Sequence, residues 1–276
     1  YDSHEIYIET INQFFPVNSS FIKRTIFNSL IKIMRIHGEI NEKKFIKKTH
    51  AFITVNESIL NLFNQKHKLP YHHKSIMNVP YLNETKNSNE VKDFRALFDW
   101  KKDDKIILYQ GFLNMGRGLE ILIKSMSFLE QKYKLIILGN GPIKNNLEKM
   151  CNDLDLNNQI KFMGVIPNKD LISYTKGADL GINLLEELNL SKAMASPNKL
   201  FEYIHADIPV LCSKSIENNR FIKKFPLGQL VQNHPKDVAK GIKNVVNSSF
   251  EESLFISAKN EYSWEKQEAS ILELFD

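Results

Sequence analysis

The sequence predicts an α/β protein whose larger part is a doubly wound parallel sheet. Beyond residue 105, short runs of β-prone residues recur, and each run is almost continuously apolar, as buried parallel strands require. Segments with apolar residues at spacings of three and four separate these runs, which is the pattern of helices that pack on a sheet. This alternation predicts parallel strands with helices on both faces of the sheet.

The predicted elements follow in order along the chain. The strands lie at residues 105–109, 134–138, 159–163, 178–184, 208–212 and 227–231. The helices that alternate with them lie at residues 119–129, 143–154, 168–176, 198–205, 216–224 and 235–246. A closing helix at residues 263–275 is long enough to return across the boundary to the first part of the chain.

The first part of the chain has fewer predicted elements. A strand at residues 51–55 precedes a helix at about residues 57–67. Proline, asparagine and then a charged run mark a linker near residues 83–103. The chain starts at Tyr1 in what reads as a strand end, so we expect the natural protein to begin earlier. We predict an incomplete N-terminal domain at residues 1–90, a nucleotide-binding domain at 91–250 and the returning helix at 251–276.

Composition excludes several classes of protein. The chain has 276 residues, of which 42% are hydrophobic and 25% are charged, and these values exclude disordered and fibrous proteins. Cys151 and Cys212 are far apart and lack metal-ligand spacing, so neither a disulfide framework nor a zinc site is predicted. No apolar run approaches the roughly 18 to 20 residues that span a bilayer. We therefore expect a reducing, cytoplasmic location.

Residues 21–36 are predicted to form a basic amphipathic helix. Between residues 20 and 50, eight lysines and arginines stand against two glutamates, whereas the whole chain has a net charge of +5. Two interpretations stay open: the apolar face packs on the core, or the helix lies on an anionic membrane surface. The second makes residues 21–48 a peripheral membrane contact. The apolar face consists of Ile22, Ile26, Phe27, Leu30, Ile33 and Met34.

Ligands of open parallel sheets bind beyond the carboxyl ends of the strands, so the loops there are the candidate site. One loop carries Gly111, Gly116 and Arg117, and a guanidinium in that place can bind a diphosphate. The next carries Asn140 and Gly141 in a Gly-x-Gly turn, but the third glycine of the dinucleotide fingerprint is missing, which disfavours a nicotinamide cofactor. The alternatives without a ligand are that Arg117 is an ordinary surface arginine and that the turn at Gly141 only connects a strand to a helix.

Residues 196–210 are the most informative stretch. Lys199 and Glu202 lie one turn apart near the start of a helix that begins at Asn198 and is expected to face the same edge. The carboxylate can accept two ribose hydroxyls, and the lysine can neutralise phosphate. The alternative is an exposed Lys–Glu pair on a helix surface.

Several short motifs, taken together and in this order, resemble glycosyltransferase family 4 of the GT-B fold, the glycosyl transferases group 1. The resemblance covers nearly the whole chain, and its specificity lies in the combination. The motifs are Asp2-Ser3-His4-Glu5, Met77-Asn78-Val79-Pro80, Tyr109-Gln110-Gly111, Arg117-Gly118-Leu119-Glu120, Gly139-Asn140-Gly141-Pro142 and residues 196–210.

The resemblance implies two Rossmann-like domains, the N-terminal one incomplete, and a nucleotide-sugar as donor. It assigns Arg117 to the donor diphosphate and Glu202 to the ribose, with Lys199 in the same site, and these three are the catalytic candidates. It assigns Asp2 and His4 to the acceptor side. Further donor contacts are expected at Gly111, Gly116, Asn140, Gly141, Val165 and Asn198, with Val165 meeting the base through backbone groups.

Two departures from the family pattern concern the donor sugar and the phosphates. Met194 stands where the family often has a glutamate eight residues before Glu202. Phe112 stands where the family often has a basic residue after the first glycine. Arg117 is therefore expected to carry more of the phosphate binding.

The resemblance also implies metal-independent transfer with retention, to a glycan or lipid-linked acceptor, without a cofactor or a nucleic-acid partner. Similar enzymes often build surface polysaccharide, so we expect a hexosyltransferase at the inner face of the plasma membrane. Two other functions stay open. One is a nucleotide-sugar epimerase of the same fold, and the other is a non-catalytic nucleotide-binding module, which the departure at Met194 motivates.

Overall fold

The computed structural model describes residues 2–3, 5–11, 21–70, 72–82, 91–186, 190–196 and 198–274. The chain divides into two compact units. The first unit consists of Tyr1–Asn78, Glu187–Ala195 and Gln267–Asp276, and the second of Val79–Glu186 and Ser196–Lys266. The domain boundaries predicted from the sequence stay a prediction.

Strands and helices are numbered in chain order over the described residues. The strands are β1 Asp2–Ser3, β2 Ala51–Thr54, β3 His72–Ser75, β4 Lys105–Gln110, β5 Tyr133–Leu138, β6 Ile160–Gly164, β7 Leu180–Asn183, β8 Val210–Ser213 and β9 Gly228–Val231. The helices are α1 Tyr7–Thr10, α2 Phe21–Ile46, α3 Glu57–His67, α4 Phe94–Leu97, α5 Leu119–Met126, α6 Lys144–Asp153, α7 Asn168–Lys176, α8 Leu190–Ala193, α9 Asn198–His205, α10 Ile216–Lys224, α11 Pro235–Val246, α12 Glu252–Glu261 and α13 Trp264–Leu272.

The first unit contains a small parallel sheet in the order β1-β2-β3. Phe52 of β2 packs with Ile59 and Phe63 of α3 in its core. The sequence predicted β2 and α3 correctly. It missed β3 because this strand is polar, with half-buried side chains, and so lacks the apolar signal of a buried strand.

Helix α2 is longer than the sequence predicted, and much of its apolar face is exposed. It continues ten residues beyond Ile36 to Ile46, which is buried in the first unit. Of the predicted apolar face, Ile26, Leu30, Ile33 and Met34 are exposed, so the interpretation that this face packs on the core is wrong for them. The side chain of Ile22 lies outside the described part. No helix in the described ranges has the length and hydropathy needed to cross a membrane.

The second unit is the predicted doubly wound sheet. Its strands run parallel in the order β6-β5-β4-β7-β8-β9. Strands β5 and β6 are therefore added on one side of β4 and strands β7 to β9 on the other, so the strand order reverses between β4 and β7. All six predicted strands are confirmed to within two residues at either end, and the six alternating helices are confirmed too. The C-terminal segment holds α12 as well as α13, whereas the sequence predicted one closing helix. The sequence missed α12 because only Phe255 and Ala258 are buried in it.

Candidate functional site

The loops that follow β4, β5 and β6 pack together at the carboxyl edge of the large sheet. The amide of Gly139 donates to the carbonyl of Gly164 at 2.6 Å, and the amide of Leu113 donates to the carbonyl of Asn140 at 2.9 Å. A Cβ on Gly139 would lie 1.9 Å from the carbonyl oxygen of Gly111, so no side chain fits there. The structure thus brings together three predicted contacts, Gly111, Asn140 and Gly141.

Arg117 lies in a glycine-bounded turn that leads into α5. Gly116 and Gly118 on either side have φ of +78° and +67°, which favour glycine. Glu186, just after β7, holds this turn: its amide donates to the carbonyl of Gly116 at 3.1 Å, and its carboxylate accepts from the amide of Gly118 at 3.3 Å. The half-buried Arg117 is therefore carried by a loop that is tied down on both sides.

Helix α9 is fixed to the sheet by the fully buried Tyr203. Its hydroxyl accepts from the amide of Gln110 at 3.1 Å and lies 3.2 Å from the carbonyls of Leu108 and Ile182. These partners belong to β4 and β7, where the strand order reverses. The start of α9 is thereby held at the position where open α/β sheets bind ligands.

Lys199, in the first turn of α9, is buried without a counter-ion in the described part of the chain. Only 7% of the residue is exposed, and its Nζ has no hydrogen-bond partner among the described residues. The Nζ lies 3.9 Å from the centre of the Tyr109 ring, which is a cation–π contact. Burial lowers the pKa of Lys199 to about 7, with the positive charge of Arg117 acting in the same direction and Glu202 opposing it. An anion placed beside this ammonium would meet an unpaired charge.

The carboxylate of Glu202 is hydrogen-bonded to Gln110 and not to Lys199. Its Oε2 accepts from Nε2 of Gln110 at 2.5 Å, and no ion pair with Lys199 forms. Burial raises the pKa of Glu202, while the Gln110 hydrogen bond and the charge of Lys199 lower it. The alternative of an exposed Lys–Glu pair is therefore wrong. The charges of Arg117 and Glu202 both act on Lys199, in opposite directions.

The remaining predicted residues are more scattered. Asn198 is exposed at the first position of α9, and Val165 is exposed beyond β6. Asp2 lies in β1 of the first unit, and His4 lies outside the described residues. Met194 belongs to the first unit, where its carbonyl accepts from Nδ2 of Asn56 at 2.8 Å. Across the described ranges, no three side chains of the His, Cys, Asp or Glu type are grouped so as to hold a metal ion.

Three residues without a role predicted from the sequence support the candidate site, namely Gln110, Thr175 and Glu186. Gln110 contacts Glu202, and its own Oε1 accepts from the hydroxyl of Thr175 in α7 at 2.9 Å. One signal for Gln110 was available, because a polar residue ends an otherwise apolar strand just before a glycine. Thr175 and Glu186 gave no comparable signal.

A family comparison decides what kind of protein carries this site. The family model of glycosyl transferases group 1 matches residues 90–261, which is more than half of the chain. The chain belongs to this family. The match spans nearly all of the second unit and includes Arg117, Lys199 and Glu202.

Individual curated relatives match this group 1 protein over only part of its length. It is 27% identical over 186 residues to an uncharacterised glycosyltransferase of Methanocaldococcus jannaschii, covering 64% of the chain and 46% of the relative. A second relative is an N-acetylgalactosaminyltransferase of Campylobacter jejuni that is named for a diphospho-undecaprenol substrate. The two proteins are 34% identical over 70 residues, which cover 25% of this chain and 19% of that relative. The chain thus spans at most about half the length of these relatives.

Structural comparison agrees on the fold. The Anabaena protein HepE in complex with UDP superposes with a TM-score of 0.69 at 14% identity, covering 100% of this chain and 71% of that one. Sucrose-phosphate synthase from Thermosynechococcus elongatus superposes with a TM-score of 0.68 at 18% identity, covering 86% and 60%. This likeness confirms the GT-B type of α/β fold predicted from the sequence.

Proposed function

We propose that this group 1 family member binds a nucleotide-sugar and transfers its sugar to a glycan or lipid-linked acceptor. The observation that carries the proposal is the buried ammonium of Lys199, which has no hydrogen-bond partner in the described residues and is influenced by the charges of Arg117 and Glu202. A buried charge without a counter-ion is unfavourable, so a ligand anion at this point stabilises the site. The diphosphate of a nucleotide-sugar is such an anion.

The proposed roles follow from the charges. Lys199 and Arg117 stabilise the negative charge that develops on the departing nucleoside diphosphate, and Glu202 accepts the ribose hydroxyls. Because two cationic side chains face the diphosphate, we propose that no divalent metal ion is needed. The departing phosphate accepts the proton of the acceptor hydroxyl, and the sugar keeps its anomeric configuration, as the family resemblance implies.

An assay of product formation tests this function. The full protein is incubated with radiolabelled UDP-, GDP- and ADP-sugars, with and without a glycan and lipid extract as acceptor, and with and without EDTA. Transfer that requires the extract and survives EDTA supports the proposal. Conversion of the labelled sugar without extract would instead identify an epimerase, and binding without any conversion would identify a non-catalytic module.

We further propose that α2 brings the protein to an anionic membrane, at the cytoplasmic face where lipid-linked acceptors of surface polysaccharide are assembled. Ile26, Leu30, Ile33 and Ile40 lie on one side of the helix and are each between 43% and 53% exposed. The exposed lysines Lys23, Lys32, Lys43, Lys44, Lys47 and Lys48 flank or follow this stripe. Apolar contact and charge attraction then act together. The undecaprenol-linked substrate named for the Campylobacter relative agrees with such an acceptor.

A further inference from the structure

Gln110 is held at both ends of its side chain. Its Oε1 accepts from Oγ1 of Thr175 at 2.9 Å, and its Nε2 donates to Oε2 of Glu202 at 2.5 Å. The carbonyl of Leu171 lies 2.8 Å from the same hydroxyl, so the single hydrogen of Thr175 is shared between two acceptors. The backbone amide of Gln110 donates to the hydroxyl of Tyr203 at 3.1 Å. Strand β4 and helices α7 and α9 therefore meet at this one amide.

This chain of bonds sets the direction of the Glu202 carboxylate. With Glu202 ionised, only one orientation of the Gln110 amide is compatible with the contact to Glu202, because the reverse would place a carbonyl oxygen against a carboxylate. The bond occupies Oε2 and leaves Oε1 outside this contact. It also lowers the pKa of Glu202 against the effect of burial, so it favours the ionised acceptor.

We propose that Gln110 is a positioning residue for the donor site, orienting the Glu202 carboxylate toward the two ribose hydroxyls of the nucleoside diphosphate. The proposal rests on the proposed function, since it names the support of a side chain in that site. Thr175 completes it by holding the far end of the amide. Neither residue needs to touch the nucleotide.

The test compares two ligands that differ only in the ribose hydroxyls. Calorimetry with UDP and with 2′,3′-dideoxy-UDP is carried out on the wild type and on Gln110→Met, which keeps the side-chain shape and removes the amide. We expect Gln110→Met to weaken UDP by about tenfold, as for the loss of a hydrogen bond to a charged group, while dideoxy-UDP changes less than about twofold. A residue with only a structural role would weaken both ligands alike.

Thr175→Val gives a second variant should Gln110→Met fail to fold. It is expected to weaken UDP selectively, and Ser173→Ala is its matched control. Ser173 lies on the same helix, and its hydroxyl donates to the carbonyl of Asp170 one turn back, at 2.8 Å, rather than to Gln110. Pyrophosphate, which lacks a ribose, should bind all four proteins equally.

Three results would overturn the Gln110 assignment, and a fourth would overturn the proposed function. Equal losses for UDP and dideoxy-UDP, or no loss of UDP affinity in either variant, would show that Gln110 does not orient Glu202. A wild type that binds UDP without any preference for the ribose hydroxyls would remove the Gln110 assignment while leaving the diphosphate site in place. A wild type that binds none of UDP, GDP and ADP would overturn the proposed function itself.

Discussion

The Nζ atom of Lys199 lies 3.9 Å from the centre of the Tyr109 ring, and no hydrogen-bond acceptor accompanies it among the described residues. A cation–π contact contributes on the order of 0.5 to 2 kcal/mol, which is less than the cost of burying an ammonium ion. Burial correspondingly lowers the pKa of Lys199 to about 7. In the ligand-free protein this charge is therefore only partly present near neutral pH.

The first prediction concerns the pH dependence of nucleotide affinity. Above pH 7 the free protein must take up a proton at Lys199 when it binds a diphosphate, so the affinity for UDP should fall by up to about tenfold per pH unit. Calorimetry between pH 7.5 and 9.5 measures this slope. Lys199→Met should bind UDP weakly and without the slope, whereas Lys240→Met, at an exposed lysine of α11, should behave as the wild type. A slope that persists in Lys199→Met would assign the proton to another group.

The same lysine should give the stability of the ligand-free protein a pH dependence of defined sign. The folded pKa of Lys199 is about 7, below its ordinary value of 10.5, so the unfolded chain binds more protons between these values. Stability should therefore rise as the pH increases through this window. Urea unfolding at several pH values should show a smaller rise for Lys199→Met. An equal rise in both proteins would contradict the burial of an ammonium at this site.

Arg117 is predicted to bind phosphate rather than the nucleoside. Arg117→Ala should weaken UDP by about tenfold or more, because a charge-assisted hydrogen bond is lost, and should leave uridine almost unchanged. Competition binding with the two ligands measures the difference. The matched control is Arg220→Ala, an arginine of α10 whose partner is Glu217 on the same helix. Equal losses for UDP and uridine would show that Arg117 does not contact phosphate.

Gly118 is predicted to tolerate no side chain. Its φ of +67° strains any other residue, and a Cβ there would lie 2.5 Å from Cβ of Leu184. Gly164 is the matched control, because its φ is +73° but a Cβ added to it would have nothing within 4 Å. Gly164→Ala should cost about 1 kcal/mol in the free energy of unfolding, and Gly118→Ala about 3 kcal/mol. Similar losses in urea unfolding would contradict the close packing of the Arg117 loop.

Helix α2 and the residues directly after it are predicted to bind anionic lipid through their lysines. Flotation should recover the protein with vesicles of phosphatidylglycerol and phosphatidylcholine, and not with phosphatidylcholine alone. Each lysine near the surface contributes about 1 kcal/mol, so Lys43→Glu combined with Lys47→Glu should weaken binding by about 30-fold or more. Lys149→Glu combined with Lys240→Glu, at exposed positions of the second unit, is the control. Equal losses in the two double variants would indicate a general charge effect rather than a surface on α2.

The fold could be predicted where burial alone decides the structure. The strands of the second unit are almost continuously apolar because helices cover both faces, and this signal placed them within two residues. Strand β3 has the sequence His-His-Lys-Ser and half-buried side chains, so nothing in its composition indicated a strand. The apolar stripe of α2 was recognised from its periodicity, but its exposure could not be predicted. Periodicity indicates which residues share a helix face and does not indicate what covers that face.

The candidate site was predicted in part for a similar reason. Spacing placed Lys199 and Glu202 on one helix at the carboxyl edge, and the structure places them there. The sequence could not indicate that Glu202 bonds to Gln110, which lies 92 positions earlier, or that Lys199 is left without a hydrogen bond among the described residues. Such partners come from other strands and helices, and local periodicity carries no information about them. The roles of these residues in binding and catalysis stay predictions.

The most direct test of the donor site is a crystal structure of the protein with UDP bound. We predict a phosphate oxygen within about 3.2 Å of Nζ of Lys199, a second contact at Arg117, and ribose hydroxyls within hydrogen-bond distance of Glu202. UDP bound in another place, or bound at this edge with its phosphates directed away from Lys199, would contradict the assignment of the donor site.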